Sequence, residues 1–404
     1  MSANHSAVAP GVPQWPGNRL VAGILAAIFL LAAAAFVYAL NSDATQVDFA
    51  LLTVSFLYLM GITQGAIVFV AIQRLVGAQW SKPYYRLAEI ATLAFAPYAI
   101  IVFLLIYFLA QDQLFYWLSH ETEVGTDAHA SPWLNINWLL ARNLFALVLF
   151  YSLSAVYAFK AWRTDRDWAN GNTDTDYART EAELRSFSPY IILSFALCST
   201  LFAWDFGMML LEHWHSSVFP IFFSFGNLYA GAAALLFLIP LFGLQVDGSE
   251  FRRDQVRCMG MLITGFTVLW LYFFWAQFFV VWFGNLPRET DALWPQMYGH
   301  YAPYFWTMMT ACFFLPFVAL VFAFVKRSLL SMLILAGGIN VGIWLHKYLT
   351  VMTAFSPDDT PFDHWLDIVL AIGLLAGFIA TFIWIASRVP VFSTWEIARR
   401  KGAE

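Results

Sequence analysis

The chain has 404 residues, 61% of them hydrophobic and 12% charged, with a mean hydropathy of +0.66 and a formal net charge of −5. So apolar a composition excludes an ordinary soluble domain, and the acidic balance gives no footing for nucleic acid. The three cysteines, Cys198, Cys258 and Cys312, form no C-x-x-C pair, which argues against an iron–sulfur or zinc site built by this chain alone.

Ten apolar runs are each long enough to cross a bilayer, since about 20 helical residues cover roughly 30 Å of hydrocarbon. In chain order they are predicted over residues 18–40, 49–77, 87–110, 135–160, 187–212, 217–244, 256–283, 300–325, 328–352 and 364–387. Arg19 opens the first, which is expected to be retained rather than cleaved as a signal. The second carries Gly61-Ile-Thr-Gln64-Gly65 and the sixth Ala230-Gly231, small residues that let helices approach closely. Residues 1–17 and 388–404 are read as cytoplasmic tails, and 18–387 as one all-α transmembrane domain of ten helices.

Charge sets the orientation. Eighteen of the 21 Lys and Arg residues fall in alternate loops and at the two ends, the exceptions being Arg142, Arg288 and Lys347. The positive-inside rule then places both termini in the cytoplasm of a bacterium, with the protein in its inner membrane. The opposite loops are acidic: Asp112, Glu121, Glu123 and Asp127 in one, Asp358, Asp359 and Asp363 in another. Such loops are either solvated faces or a docking surface for an extrinsic subunit.

Ionisable groups inside spans mark functional pathways by default. Arg142 in the fourth span, Asp205 in the fifth, Gln277 in the seventh, and His346 and Lys347 in the ninth form one polar layer. Helical rise puts that layer roughly 8–12 Å beneath the outer surface. Seven-residue spacings pair Asn135 with Arg142 (Trp138 between), Asp205 with Glu212, Trp270 with Gln277, and Asn340 with Lys347 (Trp344 between). Each pair is expected to turn one side of its helix inward. Arg142 and Asp205 either form an ion pair that registers two helices or line a polar, aromatic-rimmed pocket. Such a pocket suits a ring with two oxygens and a long apolar tail, a quinone. His213, His215, His300 and His346 are candidates for proton exchange near neutral pH.

Nearer the cytoplasm, Glu89 lies three residues after Arg86, and Gln64 lies deep in the second span. Glu89 is either a helix-surface salt-bridge partner or a proton entry, with Thr63, Ser194, Ser199, Thr200, Thr264 and Thr267 as possible relays. The eight histidines lie in loops or near span ends, and no helix carries a pair at opposite depths as two b-type haems require. No haem, cluster or other metal is expected on this chain.

Several blocks resemble the membrane subunit of the polysulfide-reductase (NrfD-like) family, most of all the quinone-site membrane subunits of alternative complex III. They are Trp80-Ser-Lys-Pro-Tyr-Tyr-Arg86-Leu-Ala-Glu89, Leu134-Asn135 followed by Arg142, and Trp204-Asp205 leading to Glu212-His-Trp-His215-Ser-Ser217. Phe283-Gly-Asn285-Leu-Pro287-Arg-Glu289-Thr290, Asn340-Val-Gly-Ile-Trp344-Leu-His346-Lys347, Val389-Pro390 and Glu396 complete the set. Arg288 stands where the family usually has an acid, and His346-Lys347 replaces its usual Glu-Arg.

The resemblance implies two four-helix bundles plus a flanking helix pair. It implies a menaquinone or ubiquinone site near the outer face, beside a periplasmic-side iron–sulfur subunit, multihaem cytochrome c subunits and a paralogous NrfD-like membrane subunit. On that reading Asp205, His213 and His215 accept protons. Asn135, Arg142, Gln277, Asn340, Trp344, His346 and Lys347 hold the ring, and Glu89 and Gln64 lie on a proton path. A structural or proton-conducting subunit without a productive quinone site, and a secondary transporter, are the rival classes.

Overall fold

The computed structural model describes residues 19–41, 49–118, 133–169, 177–211, 214–241, 252–285, 287–290, 293–355, 365–393 and 395–396. Among them are ten helices long and apolar enough to span a membrane, and no strand. We number them α1 (Arg19–Leu40), α2 (Ala50–Leu75), α3 (Lys82–Leu109), α4 (Ile136–Ala169), α5 (Tyr177–Asp205), α6 (Phe219–Ala234), α7 (Arg253–Gly284), α8 (Ala302–Met309, continuing to Val321), α9 (Leu329–Phe355) and α10 (Trp365–Ala386). This is an all-α polytopic membrane fold.

The helices pack in two rings. Helices α2, α3, α4 and α5 each touch the next and close on one another, and α6, α7, α8 and α9 do the same. The rings meet where α2 lies along α6, with α9 and α5 flanking that seam. Helix α1 packs on α10, and α10 rests against α3 and α2. Helix α2 is therefore the hub: 83% of its apolar window is buried, against 6% for α1. Both read as uniformly apolar, because in a bilayer the lipid-facing and protein-facing sides are equally greasy.

Glycine sets the seam. A Cβ on Gly65 would fall far inside contact distance of the Asn227 carbonyl, and one on Gly61 would strike the Asn227 side chain. Gly231 has the same relation to the backbone at Gly65 and Ala66. The Gly61-x-x-x-Gly65 spacing therefore does bring two backbones together.

Helix α8 is broken for an identifiable reason. Pro316 has no N–H to give the Cys312 carbonyl four residues earlier, and a π-turn over Thr310–Phe314 precedes it. The Tyr229 hydroxyl supplies the missing donor at 3.1 Å and also pairs with Thr267 Oγ1 at 2.8 Å. Helix α7 ends at Asn285, which takes a left-handed conformation (φ 42°, ψ 52°) open to few residues but Gly and Asn.

Some boundaries differ from expectation. Helix α3 begins at Lys82 rather than 87, and α4 runs to Ala169 rather than 160. Polar residues there are helical because helices continue beyond the hydrocarbon. Helix α5 stops at Asp205, followed by Gly207 and a short turn over Met208–Leu210. Asp205 is thus a terminal residue, not one two turns inside a span, and Glu212 lies outside the described residues.

Candidate functional site

Polar side chains collect at both ends of the helix array and along one stripe between them. At the end opposite the basic loops, Asp205 terminates α5 and faces α4. The Arg142 guanidinium grips it through Nε to Oδ2 at 2.8 Å and Nη2 to Oδ1 at 2.6 Å. Asn143 Nδ2 donates to Oδ2 at 2.5 Å, and the Trp133 indole N–H to Oδ1 at 3.1 Å. Arg142 Nη1 also donates to the Trp133 carbonyl at 2.8 Å, and its Cζ lies 4.1 Å from a Trp133 ring centroid. Four donors on one carboxylate, with Asp205 wholly buried and Arg142 nearly so, make a complete ion pair of the strongest, side-on kind. Of the two roles open for this pair, registering α4 against α5 has all its geometry in place.

Asn135 lies on the same helix but does something else. Its Oδ1 accepts the Trp138 N–H at 3.0 Å, so it caps the start of α4. Both Asn135 and Trp138 are exposed, so the expectation that they share an inward face with Arg142 does not hold. Capping turns the first residues of a helix toward its free N–H groups rather than toward the bundle.

In the second ring at the same end, Gln277 Oε1 accepts a hydrogen bond from Ser216 Oγ. Ser216 also holds the start of α6 by accepting the Phe219 N–H at 3.2 Å. His215 precedes it on the exposed side of the α5–α6 connection, while His213 lies outside the described residues. On α9, Asn340 accepts from the Tyr58 hydroxyl of α2 at 3.0 Å and donates to the Ala336 carbonyl at 2.8 Å. Trp344 stacks on Tyr348 at 5.4 Å between centroids.

His346 lies 4.5 Å from the Phe222 ring, which in turn sits 5.4 Å from Trp270. Lys347 Nζ stands 2.8 Å from the centroid of Phe223. Both side chains are buried, and neither His346 Nδ1 nor Lys347 Nζ has a hydrogen-bond partner among the described residues.

The basic end is the more heavily charged. Arg74 pairs with Glu181 and Glu396, each at 2.6 Å, and donates to the Tyr157 hydroxyl at 2.7 Å. Arg86 pairs with Asp165 and, at 3.5 Å, with Glu89, which also accepts the Trp162 N–H at 2.9 Å. The Arg86–Glu89 contact is real but is not a surface salt bridge: both residues are no more than 1% exposed. The chain after α10 completes the cluster, with Trp395 and Glu396 buried against it and the Trp395 N–H 3.4 Å from Asp165 Oδ1.

A stripe on α4 links the two ends. Asn143, Tyr151, Ser154, Tyr157 and Asp165 are buried and share one helix face. They span about 33 Å by helical rise, close to the thickness of the hydrocarbon core. The Tyr151 hydroxyl faces Thr63 and Gln64 of α2. Gln64 Nε2 lies 3.5 Å from Cys198 Sγ, and Thr92 Oγ1, one turn beyond Glu89, donates to the Thr63 carbonyl at 2.8 Å. Ser199 next accepts from Ser224 at 2.9 Å and from Asn227 at 3.2 Å. Asn143 Oδ1 and Ser154 Oγ have no hydrogen-bond partner among the described residues.

Glu89 and Gln64 are thus brought into one neighbourhood, and Thr63 and Ser199 with them. Of the other expected relays, Ser194 bonds Ile191 and Thr264 bonds Gly260 on their own helices, while Thr267 pairs with Tyr229 in the second ring. Sequence reasoning missed Trp133, Asn143, Ser216, Arg74, Asp165 and Glu181. Only Asn143, adjacent to Arg142, and Ser216, three residues before a helix start, carried a local signal. The chain matches no protein-family model, and no curated protein matches it either.

Proposed function

We propose that this chain is the quinone- or quinol-binding membrane subunit of a multi-subunit respiratory or photosynthetic oxidoreductase of the polysulfide-reductase (NrfD-like) type. The supporting observation is the polar layer at the end opposite the basic loops. There Gln277, His346 and Lys347 stand among Phe222, Phe223, Trp270, Trp344 and Tyr348, with Asn340 two turns deeper along α9. An aromatic setting with few, placed polar groups is what a quinone ring uses.

On this reading the basic end is cytoplasmic, both termini lie there, the two helix rings are four-helix bundles, and the membrane is a bacterial inner membrane. A bound menaquinol or ubiquinol gives up two electrons and two protons and leaves as quinone. The electrons pass to an iron–sulfur subunit on the periplasmic side and on to multihaem cytochrome c subunits, with a paralogous membrane subunit alongside. Protons leave through exposed His215 and the neighbouring His213. Asp205 holds Arg142 and the α4–α5 wall in position. Hydration of the orphan atoms along α4, with Glu89 and Gln64, supplies a route for proton movement across the first ring.

Gentle purification followed by solvent extraction tests this: quinone in the extract supports the proposal, and a protein that never retains quinone contradicts it. One observation favours a second reading, a structural or proton-conducting subunit without a productive quinone site. The Arg142–Asp205 pair is saturated by its own neighbours, so this buried carboxylate has no bond left for a ligand.

A further inference from the structure

Most polar groups of the layer are already committed. Arg142 and Asp205 satisfy one another with Trp133 and Asn143, Gln277 is held by Ser216, and Asn340 by Tyr58 and Ala336. Lys347 is the exception with the highest cost. Its side chain is fully buried, its Nζ makes no hydrogen bond, and no salt bridge involves it among the described residues. Among the described residues no carboxylate forms an ion pair with Lys347 or His346.

An ammonium carries three N–H donors, and the Phe223 face can receive only one of them. A buried cation without an anion is strongly unfavourable: a buried amine stays charged only where an anion completes it, and otherwise gives up its proton. On either side of Phe222, His346 Nδ1 and Trp270 Nε1 also lack hydrogen-bond partners among the described residues, and neither group carries a negative charge. What complements such a place is a flat apolar ring bearing a negatively charged oxygen.

We infer that Lys347, at the seam of α6 and α9, binds the anionic oxygen of an aromatic or quinonoid ring ligand, with Phe222 and Phe223 as its walls. The inference rests on the ring-ligand reading above and makes it narrower: the head group sits in the second ring against Lys347, not on Arg142 and Asp205. The ligand form selected is the one carrying a phenolate- or enolate-type oxygen. For a quinone that means the semiquinone or quinolate anion rather than the neutral ring. Lys347 is a binding residue in this account and accepts no proton from the ligand.

The test uses the purified full-length protein with its co-purifying subunits, in nanodiscs, and two probes of one skeleton. These are 1,4-naphthoquinone, which is neutral, and 2-hydroxy-1,4-naphthoquinone, which is an anion at neutral pH. Wild type is expected to bind the anion about tenfold or more tightly than the neutral ring, the scale of one charge-assisted hydrogen bond. Lys347→Met should abolish that preference, losing about tenfold or more in affinity for the anion relative to the neutral ring. Lys347→Arg should retain the preference.

Equal binding of both probes by wild type, or an unchanged preference in Lys347→Met, overturns the inference. Because Met removes an uncompensated charge, its thermal stability without ligand should equal or exceed wild type. A Lys347→Met protein that fails to fold would also count against it, as it would show the ammonium to be needed by the apo fold. Extracted quinone without anion preference defeats the Lys347 assignment alone. No extracted quinone and no binding of either probe defeats the ring-ligand reading with it.

Discussion

Asp205 receives Arg142 side-on, through Nε at 2.8 Å and Nη2 at 2.6 Å, at the point where α5 ends. The contact fastens the last residue of one helix to the second turn of another, and Asn143 and Trp133 complete it. Removing one partner leaves a buried, uncompensated charge, at a cost of about 3–5 kcal/mol. Asp205→Asn should therefore lower the melting temperature of the detergent-solubilised protein markedly. The double variant Arg142→Met, Asp205→Leu should recover much of that loss. If Asp205→Asn melts with wild type, the pair does not hold α4 to α5. If an assembled Asp205→Asn complex oxidises quinol at full rate, any proton role for this carboxylate is excluded.

The seam between the rings depends on Gly65. Its Cβ-free surface lies against the Asn227 carbonyl, a backbone atom that cannot swing aside. Gly65→Ala should destabilise by about 1–3 kcal/mol, as overpacking does, and Gly65→Leu should abolish the monodisperse peak in size-exclusion chromatography. Gly23, beside which a Cβ meets nothing within 4 Å, is the control expected to accept Ala silently.

The segment after α10 is part of the fold, not a loose end. Glu396 neutralises Arg74, which is wholly buried together with Tyr157 and Tyr85. Glu396→Gln should reduce thermal stability by several degrees and expose the C-terminal segment to protease in inside-out vesicles. Unchanged proteolysis would show that Glu181 alone suffices for Arg74.

Proton movement along α4 has a separate test. Tyr151→Phe and Ser154→Ala remove two hydroxyls with little change in shape from the buried face of α4. In proteoliposomes of the whole complex, both should slow proton release or uptake by about tenfold or more while quinol oxidation under uncoupled conditions stays near wild type. Equal slowing of both processes would place these residues in the packing rather than in a path.

The spans and the side-to-side charge bias were legible in the sequence because both are one-dimensional signals: about 20 apolar residues, then a loop of one sign. Gly61 and Gly65 were legible too, since the four-residue spacing itself puts both on one face. The end of α5 was not, because Asp205-Phe-Gly207 continues an apolar run and only the turn after it ends the helix. The partners of Arg74 and Arg86 could not be read at all. Glu181, Asp165 and Glu396 lie 79 to 322 positions away along the chain, and each looks like an ordinary loop charge until α4 and the C-terminal segment fold back. Trp138 and Asn135 show the opposite failure: a spacing that matched an inward face belongs to a cap.

The most direct test of the central claim is a gentle purification of the tagged protein, with co-purifying subunits identified by mass spectrometry, haem by its absorption spectrum and quinone by solvent extraction. The account predicts bound quinone together with an iron–sulfur protein and multihaem cytochromes c. Recovery of the chain alone, with neither redox partner nor quinone, would contradict it and bring a transport function forward.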